Sequence, residues 1–237
     1  EQERRVRIRE RLQGFRTRHA AHSAETERVF DAARREALWT RSLQRSLLDI
    51  AVAERDLAAE VERFTSDAFA DAPVVTHWLR DAARRLAQVE SEVEAVRQGP
   101  LNLESWDGDR SRVRRPQDEA ARRFDHLLQT MHESENPRSE SRNPKSEQSK
   151  PDSAAGPRGN SDGVPTAVQW KLLRAMQTEL NERTCRFAQQ HQDATKWTDA
   201  ERAEIASLQR EQAELAALFE KLSAGSSPSE PRQERER

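Results

Sequence analysis

Tyrosine is absent from this chain of 237 residues, and glycine (seven), methionine (two) and cysteine (one) are scarce. Each shortage removes a class of protein. Strands draw on β-branched and aromatic residues, so 5% aromatics and few turn glycines point away from sheet and toward helix. A lone Cys185 excludes an intrachain disulfide and a thiolate metal cluster. It reads as an inert, partly buried thiol, with an intersubunit disulfide as the sharper alternative. The glycines form neither a dinucleotide-binding pattern nor a Lys-tipped phosphate loop, and no G-x-S-x-G elbow is present. No Glu stands three residues ahead of a His, which removes the Glu-x-x-His of di-iron bundles, and there is no H-E-x-x-H. No apolar run reaches the roughly 20 residues of a membrane helix.

What remains is charge and short apolar steps. Hydrophobic residues make up 34% of the chain and charged ones 35%, a poor supply for a large globular core but enough for narrow helical seams. Net charge is −2 with both signs interspersed, which argues against a broad phosphate-tracking surface. The fold expected is all-α: a long coiled-coil-like helical hairpin over 1–133, a disordered linker over 134–165, a separate C-terminal antiparallel helical hairpin over 166–223 and a disordered tail over 224–237.

The C-terminal hairpin has the clearest limits. Thr166 with Gln169, and Thr198 with Glu201, fit capping boxes, in which a hydroxyl and a longer side chain satisfy free N–H groups reciprocally. Trp170, Leu173, Leu180, Thr184 and Phe187 recur in steps that sum to seven. Ile205, Leu208, Gln212, Leu215, Phe219 and Leu222 keep a strict 3-4 alternation. A short connection near Gln192 to Trp197 makes the helices antiparallel neighbours. Gln212 is a polar seam residue of the kind that sets register or oligomeric state.

In the first 133 residues, Ile8, Leu12, Phe15, His19, His22, Thr26 and Val29 share one seam, and Leu43, Leu47, Ile50, Leu57, Val61 and Phe64 another. The two are out of phase. One helix over about 2–67 with a stutter near Phe30 to Leu38 accounts for this, as do two helices broken near Ala20 to Ser23. Pro73 opens a helix to about Arg97, stopped by Gly99-Pro100. Leu101 to Arg115 reads as a loop with Leu103 and Trp106 tucked in, and Pro116 opens a helix to 133. The Ser/Asn/Pro/Gly-rich stretch after it buries too little apolar surface to offset its ordering.

Few residues suggest chemistry. His19 and His22 form an i,i+3 pair able to face one ion, but two imidazoles without a third ligand read as seam histidines. No catalytic, cofactor-binding or metal-binding residue is assigned. The runs Arg4 to Arg11 and Arg110 to Arg115 read as solvated or ion-paired faces, with nucleic-acid or anionic-membrane binding as the alternative. Among the tryptophans, Trp78 and Trp170 read as core, and Trp39 and Trp197 as possible partner anchors.

The segments 171–184 (KLLRAMQTELNERT) and 203–215 (AEIASLQREQAEL) resemble the C-terminal hairpin of uncharacterised coiled-coil proteins of planctomycete-type bacteria. So do 78–86 (WLRDAARRL) and 120–128 (AARRFDHLL) before it. The likeness spans about 73–222, with a Ser/Asn/Pro-rich linker where Gly/Pro is usual. It implies a helical protein without known catalytic residues. With a chain that starts at Glu1 rather than Met, it points to a cell-envelope or exported location, a cytoplasmic one staying open. The function expected is a non-enzymatic scaffold or adaptor that binds a protein partner or itself. Trp170, Leu173, Leu180, Phe187, Ile205, Leu208, Leu215 and Phe219 are its candidate interaction residues, and no cofactor is expected.

Overall fold

A computed structural model describes residues 2–98, 106–135, 164–191 and 197–226. They form six α-helices: α1 (Gln2–Glu36), α2 (Arg41–Ala68), α3 (Pro73–Gln98), α4 (Trp106–Glu135), α5 (Thr166–Gln190) and α6 (Asp199–Ser226). The protein is all-α. It divides into two compact units, Glu1–Glu133 and Ser134–Arg237. Most of the expected linker (136–163), the connection at 192–196, Leu103 and the tail beyond 226 lie outside the described residues.

The first unit is a packed bundle of α1–α4 rather than a long two-stranded rod. Its seams follow the apolar repeats. Ile8, Leu12, Phe15, Val29 and Phe30 of α1, and Leu43, Leu47, Ile50, Leu57 and Val61 of α2, are all buried. Against them lie Leu79, Leu86, Val89, Val93 and Val96 of α3 and Val113, Ala120, Phe124 and Leu127 of α4. Each such side chain stabilises the fold by about 1.5–3 kcal/mol over its exposed state.

The helix expected over about 2–67 is two helices, and the break falls at 37–40, not at Ala20–Ser23, through which α1 runs unbroken. Ala37 takes φ 50°, the left-handed conformation that glycine usually supplies. The Leu38 N–H returns to the Ala33 carbonyl and the Ala37 N–H to the Arg34 carbonyl, which is the Schellman termination. Thr40 then caps α2, its hydroxyl accepting from the Leu43 N–H at 3.3 Å. The phase shift between the two seams is therefore absorbed by a reversal of direction.

The loop expected over Leu101–Arg115 is helical from Trp106 onward, so Pro116 lies inside α4 instead of opening it. Proline costs a helix one N–H and a carbonyl clash. Packing outweighs that cost here, because Trp106 and Val113, upstream of Pro116, sit in the same buried cluster as Phe30, Val93 and Val96. The Trp106 ring also lies beneath the guanidinium groups of Arg34 and Arg110.

The second unit is the α5–α6 hairpin. Its pairing is antiparallel: Trp170 meets Phe219, Gln177 meets Gln212 and Arg183 meets Glu211. The Thr198–Glu201 capping box is formed, with the Glu201 N–H donating to the Thr198 hydroxyl at 3.3 Å and the Thr198 N–H to the Glu201 carboxylate at 2.5 Å. The Thr166–Gln169 box is not. Pro165 occupies the N-cap with no side-chain hydrogen bond, Thr166 is already helical, and Gln169 is buried.

Candidate functional site

Among the polar residues buried in the bundle, three form one cluster, each from a different helix. His19 lies on the α1 seam between Phe15 and Thr26. Glu54 fills the 3-4 slot between Ile50 and Leu57 on α2. Gln117 fills the slot between Val113 and Ala120 on α4. All three side chains are fully buried. Burying such groups is costly unless each finds a partner, and here they find one another.

Their hydrogen bonds dictate their protonation. The His19 Nε2 lies 2.8 Å from the Gln117 carbonyl oxygen, which can only accept, so Nε2 carries hydrogen. The His19 Nδ1 faces both carboxylate oxygens of Glu54, at 2.9 and 3.1 Å. The Gln117 amide nitrogen donates to Glu54 Oε1 at 3.0 Å and to the Thr26 hydroxyl at 3.1 Å, while Thr26 donates to the His22 carbonyl at 3.0 Å. His22, one turn beyond His19, places its Nδ1 3.5 Å from Glu54 Oε2 and is 24% exposed. Burial alone pushes the Glu54 carboxyl up; the hydrogen bonds and charges of His19 and His22 outweigh it and hold the group below its ordinary value.

The pairing favours Glu54 as the anion, with the His19 Nδ1 against both of its oxygens. His19 faces both oxygens of Glu54 and His22 one of them, and no group of three His, Cys, Asp or Glu among the described residues is disposed to hold a metal ion. The three side chains make one hydrogen-bonded network. Its Gln117 amide oxygen is buried without a hydrogen-bond partner.

The arginine runs lie on the bundle surface among acidic side chains. Arg11 and Arg18 converge on Glu60, Arg16 forks onto Asp125, and Arg110 and Arg114 both meet Glu27. Arg115 pairs with Glu119. Arg123 lies against Asp81 and over the Trp78 ring, whose indole N–H donates to the Arg123 carbonyl at 2.8 Å. Trp39 packs edge-on against Phe30 at 5.3 Å, beside a Leu38 that is 62% exposed. Trp197 packs against Phe187 at 5.3 Å and donates to the His191 carbonyl. Both of these tryptophans thus pack within their own units.

The structure divides the candidate interaction residues of the hairpin into two groups. Leu173, Leu180, Phe187, Leu208 and Leu215 are buried, Trp170 and Ile205 are half-buried, and Phe219 is 53% exposed with its ring 5.4 Å from Trp170. Val164, Val168 and Leu172 are buried too, and lie off the expected stripe. Cys185, expected to be partly buried, is exposed. Among the described residues no helix is long and apolar enough to cross a membrane.

Comparison with protein-family models, with curated proteins and with solved structures finds no match for this chain.

Proposed function

We propose that this protein is a non-enzymatic helical scaffold or adaptor whose α5–α6 hairpin, a short antiparallel coiled coil, associates with a further helix. The observation that supports it most is Phe219. A phenylalanine half exposed at one end of a closed apolar seam, braced edge-on by Trp170, is a ready contact for a third helix. The likeness to planctomycete-type coiled-coil proteins supports the same reading. The helix that docks belongs to a protein partner or to a second copy of this chain.

The test compares the full chain with Phe219→Lys, a change at a half-exposed position that removes the ring from Trp170 and leaves the buried seam leucines in place. Light scattering after size exclusion reads self-association, and capture from host lysate reads a partner. The expected result is an association that Phe219→Lys weakens at least tenfold, about 1.4 kcal/mol. A strictly monomeric wild type that retains nothing, or an association indifferent to the change, sinks the proposal. The rival reading, binding of nucleic acid or an anionic membrane surface through the arginine runs, calls for an affinity that falls steeply with salt. The acidic partners found within those runs, for Arg7, Arg11, Arg110, Arg112, Arg114 and Arg115, weigh against it.

A further inference from the structure

We propose that Glu54, set between His19 and His22, is an acid-operated latch: a proton on its carboxylate frees α1 from α2 and α4 and bares the apolar face of α1.

The case begins with the charges in contact. Glu54 from α2 is the anion that both imidazoles of α1 face. From α4 the cluster meets neutral groups, the Gln117 amide and carbonyl and the Phe124 ring. The nearby charges on α4 are engaged elsewhere: Arg114 with Glu27 and Asp118, and Asp125 with Arg16. On α2, Arg55 turns to Asp56 and to Glu90 of α3. Where α3 meets this stretch of α2 it offers Val89 and Val93. Closed, the cluster sets the Glu54 carboxylate against the His19 ring and the Gln117 amide.

Protonation of Glu54 changes that balance. It removes the negative charge that the His19 and His22 rings face. Both rings then face a neutral carboxyl, the His19 ring fully buried. Removing one partner of a buried pair is among the most destabilising changes a core can undergo. The ion pairs that tie α1 to its neighbours, Arg16 with Asp125, Arg11 and Arg18 with Glu60, and Glu27 with Arg110 and Arg114, are all partly open to solvent, where such pairs contribute little. What α1 then exposes is the stripe of Leu12, Phe15, Val29 and Phe30. The carboxyl is held below the ordinary glutamate range, so the latch stays shut at neutral and mildly acid pH.

The experiment follows hydrogen exchange of the full chain by mass spectrometry from pH 7 to pH 3, with rates corrected for the intrinsic effect of pH. Wild type is compared with the apolar replacement His19→Leu/Glu54→Leu. The wild type is expected to lose protection in α1 at least tenfold more than in α3, and the apolar variant to move that step down by about one pH unit or more. Should the leucine pair not fold at pH 7, His19→Gln/Glu54→Gln removes the same two titrating groups with hydrogen-bonding side chains in their place. Equal midpoints in wild type and variant, or loss of protection in α1 and α3 together, overturn the proposal.

Discussion

The α1–α4 bundle and the α5–α6 hairpin are built from the same 3-4 apolar repeat, yet they treat a polar residue on the seam in opposite ways. In the bundle, His19, Glu54 and Gln117 are fully buried and locked to one another. In the hairpin, Gln177 and Gln212 pair across the seam at 3.1 Å with Gln212 exposed to solvent. Two helices cover a seam on two sides and leave its flanks wet. Further helices close the flanks. A polar seam residue therefore costs little in a hairpin, and in a bundle it requires a partner of matching charge and geometry. The number of helices around the seam, more than the residue itself, decides whether that residue becomes a point of high energetic consequence.

The largest break in this contrast comes from Glu54→Ala. It leaves the buried His19 Nδ1 and the Gln117 amide without their shared partner and is expected to destabilise the bundle by about 3–5 kcal/mol in urea unfolding. A loss under about 1 kcal/mol means that water reaches the pair. The same residue sets a pH dependence of defined sign. Its folded pKa lies below the ordinary 4.5, so its contribution is fully present above about pH 4.5 and fades as pH falls through the lower folded value. Stability measured from pH 7 down to pH 3 checks this, and Glu54→Gln is expected to flatten the profile.

A cavity in the hairpin should cost less. Leu208→Ala removes a buried seam residue from a unit of two helices that can partly close over the gap, so about 2–3 kcal/mol is expected, at the low end for leucine. Amide exchange in α5 and α6 reads it. A loss above about 4 kcal/mol means a seam as rigidly packed as a bundle core, and the contrast between the two units fails.

The smallest effects are gains. Ala37 holds a left-handed φ of 50°, and Ala37→Gly is expected to raise the melting temperature by relieving about 1 kcal/mol of strain. Gly14 lies mid-helix in α1, where an added Cβ meets nothing within 4 Å, so Gly14→Ala is expected to add about 0.5–1 kcal/mol. Destabilisation by either change contradicts the geometry described for that position.

Much of this was legible because helical seams are written in residue spacing. Period and flanking signals located α3 to within a residue or so and the start of α6 at Thr198, where the hydroxyl and Glu201 need only each other to form their box. The break at 37–40 was less legible. Ala37 carries no mark of a left-handed residue, and the termination depends on where α2 must go next. The Glu54 and Gln117 positions had a signal that apolar counting skips: each fills a vacant slot in its helix's 3-4 repeat. For Gln117 the signal was masked by Pro116, which reads as a helix start until Trp106 and Val113 are seen packed upstream of it.

By itself, the sequence determined that this protein is helical, where most of its apolar stripes run, and that two helices pair at its C-terminal end. Those properties depend on neighbours within a turn or two along the chain. Tertiary structure alone decided that the N-terminal repeats fold into a bundle and that Phe219 stays half exposed. It alone also brought a histidine, a glutamate and a glutamine, 98 residues apart at the widest, into hydrogen-bonding distance. Spacing along a chain records which face of a helix is apolar. It does not record which other helices close over that face, and their closure sets the local dielectric and fixes where a proton can rest.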